Sequence, residues 1–127
     1  MPVPIHKAKI VLAEDEQRHA QPIVARLTGE GHQVQWVTAM RELREAVELT
    51  RPDVLVLDVT LDIDGLEYFQ AIRFAPEHPR GGVIVLTEAG DVPTRERALQ
   101  LGAAAVMMKP VDHDLLAETI EDLLSFV

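Results

Sequence analysis

The sequence predicts an α/β domain in which a doubly wound sheet of parallel strands has helices on both faces. Five short aliphatic runs alternate along the chain with five helical patterns, as in consecutive βα units. The third run, between Asp53 and Asp58, is aliphatic throughout, as expected of a central strand buried on both faces. The 127 residues can bury one hydrophobic core. We expect a single domain over residues 1–127, with no output domain on this chain.

In the first half of the chain, two prolines mark where helical structure is disturbed or stops. Pro22 lies several residues inside the first helical pattern, where its missing N–H should kink or delay the helix. Arg51-Pro52 ends the second helical pattern. The predicted elements are strands over 7–13, 34–37 and 53–58, a helix from the acidic turn at 14–16 to Gly29 or Gly31 with Ile23, Val24 and Leu27 inward, and a helix over 39–49 with Leu43, Ala46 and Val47 inward.

In the second half, two aspartates stand where helical patterns begin. Asp91 and Asp112 have the short carboxylates that cap helix N-termini, and Pro93 is tolerated in a first turn. We expect Met107 and Met108 to divide between the core and an exposed strand face. The predicted elements are helices over 66–75, from 91 to near 102 and from 112 to 127 with Leu116, Ile120, Leu123 and Val127 inward, and strands over 83–86 and 104–108.

Composition and charge exclude several classes of protein. A net charge of −9 argues against binding nucleic acid through the general surface, because phosphate backbones need a basic face. The absence of cysteine excludes disulfides and thiolate metal sites and suits a cytoplasmic location. No apolar run has membrane-spanning length. The histidines show no ligand spacing and are expected to pack or face solvent; they are His6, His19, His32, His78 and His113.

Five short polar motifs fall at or just after the ends of the predicted strands. The carboxyl ends of parallel strands converge on one crevice, so three acids, a hydroxyl and an ammonium should meet there. Like charges about 4 Å apart repel by roughly 1–4 kcal/mol, so the acids need a cation or a proton. The motifs are Glu14-Asp15, Asp58, Asp64-Gly65, Thr87 and Lys109-Pro110.

This set of groups suits a carboxylate that takes up a phosphoryl group beside a divalent metal. Carboxylate oxygens with room for water and phosphate suit Mg²⁺. Phosphoryl transfer needs charge stabilisation more than covalent machinery, and the metal, the Lys109 ammonium and the Thr87 hydroxyl could provide it around a nucleophilic Asp58. Pro110 restricts the conformation of Lys109 and allows a cis peptide bond between them.

Nearly the whole chain resembles the receiver domain of two-component response regulators. The resemblance implies a (βα)5 flavodoxin-like fold with strand order 2-1-3-4-5. It also implies a phosphoacceptor at Asp58, a threonine switch at Thr87 and a phosphoryl-pairing lysine at Lys109. Mg²⁺ would be bound by Asp15, Asp58 and the main-chain carbonyl of Thr60, with Glu14 acting through a metal-bound water. The matching stretches are residues 10–16, 52–58, 64–67, 83–87 and 101–103 through 109–110.

The resemblance also implies partners. The phosphoryl donor would be a phosphohistidine on a sensor histidine kinase or phosphotransfer protein, and the domain would catalyse its own phosphorylation. The fourth helix, fifth strand and fifth helix would bind an unknown downstream protein, with no direct contact to nucleic acid or membrane. The oligomeric state is left open, a homodimer included.

Three departures from the family's usual pattern affect efficiency and relay rather than the reacting groups. Leu61 runs straight into Asp62, so the loop after Asp58 lacks the usual proline and is one residue shorter. Glu88 follows the switch threonine, where a small residue is usual; it either repels the phosphoryl donor or points to solvent. Val106 stands where an aromatic residue is common, so no ring can rotate inward there.

Three other functions remain as alternatives. A pseudo-receiver would use the fold as a phosphorylation-independent binding module; loss of an acid, the threonine or the lysine would favour it, and all are present, but Glu88 and the short loop keep it open. An aspartate-nucleophile phosphohydrolase is suggested by Asp62-Ile63-Asp64-Gly65, although that class places its Asp-x-Asp directly after a strand. A flavin-binding domain of similar topology is disfavoured because no Ser/Thr/Gly-rich phosphate loop follows the first strand.

Overall fold

Five parallel strands in the order β2-β1-β3-β4-β5 form one sheet, which confirms the predicted fold class and strand order. The computed structural model describes residues 8–61 and 65–125. The elements are β1 (Lys9–Ala13), α1 (Gln17–Gly29), β2 (Gln33–Val37), α2 (Met40–Thr50), β3 (Val54–Asp58), α3 (Gly65–Ile72), β4 (Val83–Thr87), α4 (Val92–Gln100), β5 (Ala105–Met108) and α5 (His113–Leu124).

The register of the sheet brings the last residues of its strands to one edge. Asp58 pairs with Leu86, and Thr87 pairs with Met108. The ladder continues past the strand ends, because the Lys109 N–H donates to the Thr87 carbonyl over 2.9 Å. Every residue of β3 and β4 is buried, so Asp58 and Thr87 end strands covered on both faces.

The core consists of two layers, one on each face of the sheet. Alternate residues of each strand point to opposite faces, so neighbours such as Leu55 and Val56 enter different layers. One layer packs the sheet against α2, α3 and α4 and contains Phe69, a fully buried aromatic side chain. The other packs it against α1 and α5. Burying each large aliphatic side chain of these layers contributes about 1.5–3 kcal/mol.

The helix starts and the methionines agree with the sequence predictions. Asp91 accepts a hydrogen bond from the Thr94 N–H, and Asp112 accepts one from the Leu115 N–H, so both aspartates cap their helices. Met107 is buried and Met108 is exposed. Within residues 8–61 and 65–125, we find no helix with the length and apolar character needed to cross a membrane.

Two helices differ from their predicted course. α1 begins at Gln17 and continues through Pro22 to Gly29, so the proline does not delay its start. α3 ends at Ile72 rather than Ala75, because Pro76 has no N–H to donate to the Ile72 carbonyl four residues earlier and its ring would clash with that carbonyl.

The buried faces of the outer helices also differ slightly from prediction. On α1, Ala20 is buried together with Ile23 and Leu27, while Val24 is only partly buried. On α5, Leu124 is buried and Leu123 is partly buried. Lys7 and Val127, which the predictions placed in β1 and α5, lie outside the described residues.

Candidate functional site

The structure brings four of the predicted site residues together at the carboxyl edge of the sheet. Glu14 and Asp58 are fully buried, and the Lys109 side chain is 9% exposed. The Lys109 Nζ lies 2.5 Å from Asp58 Oδ2 and 3.4 Å from Glu14 Oε2. Carboxylate oxygens of Glu14, Asp15 and Asp58 all lie within 4.8 Å of one another, and of these three residues Asp15 is exposed. One ammonium therefore contacts two buried acids, and an oxygen of a third, Asp15, lies within 4.8 Å of theirs.

Asp58 is held from both sides by hydrogen-bond donors. Its Oδ1 accepts from the Thr60 N–H over 2.9 Å and from the Thr60 hydroxyl over 2.7 Å, while Oδ2 accepts from Lys109. Burial raises the pKa of Asp58, but the hydrogen bonds from Lys109 and Thr60 outweigh it and the pKa is lowered. The buried Asp58 side chain is thus held as an anion, the form that a nucleophilic carboxylate needs.

Glu14 titrates in the opposite direction. Burial, followed by a hydrogen bond shared with Asp58, raises the pKa of Glu14 to about 7, against an ordinary value of 4.5. Its Oε1 accepts from the Glu16 N–H over 3.0 Å. Its Oε2 is buried and has no hydrogen bond within the described parts of the chain. The pKa values of these two neighbouring acids therefore move in opposite directions, because more hydrogen-bond donors face Asp58 than Glu14.

The raised pKa of Glu14 predicts that metal-free protein becomes less stable as pH rises. The folded state holds the Glu14 proton more tightly than the unfolded state, so this group's contribution is lost between about pH 4.5 and pH 7. The loss is at most about 3–4 kcal/mol. We expect Glu14→Gln to remove this slope in urea unfolding measured across that range. Exposed Glu96→Gln is the control, and parallel curves for Glu14→Gln and the parent would contradict the assignment.

The donor set at this edge fits a hard divalent cation. Carboxylate oxygens from Glu14, Asp15 and Asp58 are the ligand type that Mg²⁺ prefers, and the unbonded Glu14 Oε2 has an unused lone pair. Asp15 is exposed, so the group opens to solvent, which suits an ion that keeps several waters. That the main-chain carbonyl of Thr60 also binds the cation stays a prediction.

Thr87 offers an uncommitted hydroxyl beside this group. The residue is 1% exposed, and its Oγ1 has no hydrogen-bond partner among residues 8–61 and 65–125. A buried polar atom without a partner costs about 1–3 kcal/mol, so the hydroxyl would gain by turning to an acceptor. The Thr87 carbonyl accepts the Lys109 N–H, which joins the ends of β4 and β5 at the backbone, and the Lys109–Pro110 peptide bond is cis.

Two of the departures from the family pattern can be located. The Glu88 side chain is 61% exposed, yet its Oε1 lies 3.9 Å from Lys109 Nζ. Glu88 therefore reaches the site from the solvent side. Val106 is partly buried and packs against the layer formed with α2, α3 and α4.

The shortened loop after Asp58 is described only at its two ends. Asp62, Ile63 and Asp64 lie outside the described residues, so the predictions for them stay open. At the far end, a Cβ on Gly65 would lie 2.8 Å from the Val59 Cα, closer than real contacts. Glycine is thus needed where the loop folds back against β3.

Two side chains with a place in this site were not found from the sequence. The Thr60 hydroxyl binds Asp58, whereas the resemblance implied only the Thr60 carbonyl. The Trp36 indole N–H donates over 2.7 Å to the main-chain carbonyl of Glu14. The sequence gives one weak signal for each: a hydroxyl two residues after an acid can bond back to it, and Trp36 is a large ring on an edge strand.

Two histidines lie beside pairs of carboxylates, and the spacing of these residues in the sequence did not predict it. His19 is near Glu14 and Glu16, and His32 is near Glu30 and Glu121. The His32 Nδ1 accepts the Ala8 N–H over 3.2 Å, so a neutral ring carries its proton on Nε2. That nitrogen is buried and lies 3.3 Å from a Glu121 oxygen of α5, but it makes no hydrogen bond among the described residues.

Comparison with known families identifies the class of signalling domain to which this fold, with its acidic, lysine-containing edge, belongs. The chain belongs to the response regulator receiver domains of two-component signalling, because the model of that family matches residues 10–121. The resemblance inferred from the motifs is confirmed.

Relatives from two bacteria support this assignment. The chain is 31% identical over 121 residues to the transcriptional regulatory protein GlrR of Escherichia coli (strain K12), covering 94% of this chain and 27% of GlrR. It is 30% identical over 117 residues to the phosphate regulon transcriptional regulatory protein PhoB of Rhizobium meliloti (strain 1021), covering 91% and 52%. The chain thus spans about a quarter to a half of these relatives. The receiver domain of Francisella response regulator 1452 has a TM-score of 0.86 at 21% identity, covering 94% of this chain and 98% of that one, and shows the shared fold.

Proposed function

We propose that this domain takes up a phosphoryl group on Asp58 and thereby switches a protein-binding surface. The observation that carries the proposal is the buried Asp58 carboxylate, which ends β3 between the Lys109 ammonium and the carboxylate of Glu14. The donor would be a phosphohistidine on a sensor histidine kinase or phosphotransfer protein. An oxygen of Asp58 would form the new O–P bond as the P–N bond breaks, and the departing imidazole would keep the electron pair and take a proton.

The residues around Asp58 have separate tasks in this proposal. The Lys109 ammonium would move from the free carboxylate to a phosphoryl oxygen, and the unpartnered Thr87 hydroxyl would turn to donate to another. The Thr60 N–H and hydroxyl hold Asp58 Oδ1 and so orient the carboxylate. Glu14, Asp15 and Asp58, with the Thr60 carbonyl, would hold Mg²⁺, which supplies charge neutralisation when bound. Burial on β3 excludes bulk water from the acceptor.

Exposed apolar side chains support an output surface on α4, β5 and α5. Val92 and Leu99 lie one heptad apart on α4, Met108 ends β5, and Leu115 lies in the first turn of α5; all four are 45% to 50% exposed. Large apolar side chains left exposed on these three elements are available to a protein partner, although Leu49 and Phe74, which lie elsewhere, are more exposed. We propose that a downstream protein binds there, with a second copy of this chain as the alternative occupant that a mass measurement in solution would reveal.

Phosphoryl uptake is tested by incubating the protein with Mg²⁺ and a small phosphodonor and reading its intact mass. We expect one added phosphoryl group, lost on omission of Mg²⁺ and labile in alkali as an acyl phosphate is. No added mass under any of these conditions would favour a phosphorylation-independent binding module.

Glu88 is expected to slow this reaction. Its carboxylate lies 3.9 Å from Lys109 Nζ, where it competes with the incoming phosphoryl group and repels it. A repulsion of about 1 kcal/mol at solvent-exposed distances corresponds to a roughly fivefold rate difference. We expect Glu88→Ala to be labelled about threefold to tenfold faster by small phosphodonors, with exposed Glu96→Ala as the control. An unchanged rate would show that Glu88 does not affect donor entry.

A further inference from the structure

The edge strand β2 contacts the acidic turn beyond the end of its own ladder. Its last residue, Val37, accepts the Glu14 N–H over 3.1 Å. The preceding residue, Trp36, donates its indole N–H to the Glu14 carbonyl over 2.7 Å. Trp36 pairs with Leu12 of β1 in the register, so its ring extends two residues past its partner to reach Glu14. Both backbone polar groups of Glu14 are therefore bound by β2.

The bond to the indole fixes the peptide unit that joins Glu14 to Asp15. A peptide unit is planar, so holding its carbonyl oxygen sets the direction in which the Asp15 Cα leaves it. Asp15 is exposed, and its side chain is not confined by surrounding core. Its direction thus depends on the backbone of the turn. With the peptide in this orientation, oxygens of Glu14, Asp15 and Asp58 lie within 4.8 Å of one another.

We propose that Trp36 is a positioning residue for the cation-binding acids, acting through the carbonyl of Glu14. The proposal rests on the cation site of the proposed function. Trp36 is the only tryptophan of the chain, so its fluorescence reports directly on the turn. Its ring also packs, partly buried, against the layer formed with α1 and α5. The test must therefore separate the N–H from the ring.

Trp36→Phe keeps an aromatic ring and removes the donor. Tyr68→Phe is the matched control, because it also removes one polar group from a buried ring, but on α3 in the opposite layer. We expect Trp36→Phe to bind Mg²⁺ about threefold to tenfold more weakly in calorimetry, as the loss of one hydrogen bond implies. Tyr68→Phe should bind like the parent. In the parent, Mg²⁺ should shift the tryptophan emission with the same half-saturation as the calorimetric curve.

A second measurement needs no metal. Amide hydrogen exchange at Asp15 and Glu16 should be faster in metal-free Trp36→Phe, with exchange across β3 unchanged. Unchanged exchange in the turn and unchanged Mg²⁺ affinity would overturn the positioning role while leaving the proposed function intact. A parent protein that binds no Mg²⁺ would overturn the cation site itself. Faster exchange throughout the sheet would assign Trp36 to general packing and would also overturn the proposal.

Discussion

Asp58→Asn is expected to abolish phosphoryl uptake and leave the fold in place. An amide oxygen is a poor nucleophile, so the reaction loses its acceptor, whereas the side chain keeps its size. The amide oxygen can still accept from the Thr60 N–H and hydroxyl, which are 2.9 and 2.7 Å from Asp58 Oδ1. Lys109 retains Glu14 at 3.4 Å as a partner. Intact mass after incubation with Mg²⁺ and a small phosphodonor measures uptake, and circular dichroism measures folding.

An aspartate at the other end of β3 provides the matched control. Asp53 lies just before β3, at the opposite edge of the sheet, and its Oδ2 accepts the Lys9 N–H over 2.9 Å. Asp53→Asn makes the same chemical change far from the site, so it should be labelled like the parent. Continued labelling of Asp58→Asn would place the acceptor on another residue. Loss of labelling in both variants would point to a general loss of structure.

The placement of the acids could be predicted because it depends on strand ends alone. The aliphatic run from Val54 to Leu57 identifies a central strand, and the charge that follows it must lie at the carboxyl edge. The same argument places Glu14 and Lys109. The contacts of Trp36 and Thr60 could not be predicted in this way. They depend on register and side-chain rotamer, which link residues 22 apart in one case and neighbours on a tight turn in the other.

The opposite pKa shifts of Glu14 and Asp58 could not be predicted from the sequence either. Both are buried acids at strand ends, and composition gives no reason to treat them differently. Their pKa values move in opposite directions because Lys109 and Thr60 donate to Asp58, whereas Glu14 Oε2 receives no hydrogen bond within the described residues.

Removal of the Lys109 ammonium is therefore expected to have the largest effect on stability. Its Nζ lies 2.5 Å from Asp58 and 3.4 Å from Glu14, two carboxylates with no exposed surface. Burial opposes the charge on Lys109, but its hydrogen bond to Asp58 and the nearby acids keep its pKa above the ordinary value. Breaking a buried ion pair from one side leaves uncompensated charge, so Lys109→Met should lose roughly 3–5 kcal/mol of unfolding free energy at neutral pH.

The pH dependence of this loss separates charge from packing. Without the ammonium, the folded state gains more by protonating Glu14 and Asp58, so the penalty should shrink as pH falls to about 5 and grow towards about 8. Urea unfolding of Lys109→Met at both pH values measures this, with exposed Lys9→Met as the control for the loss of one positive charge. Millimolar Mg²⁺ should restore part of the stability, because a cation that binds the native state replaces the missing charge. An equal loss at both pH values, unaffected by Mg²⁺, would mean that Lys109 stabilises the protein through its aliphatic stem, and the electrostatic account of this edge would be wrong.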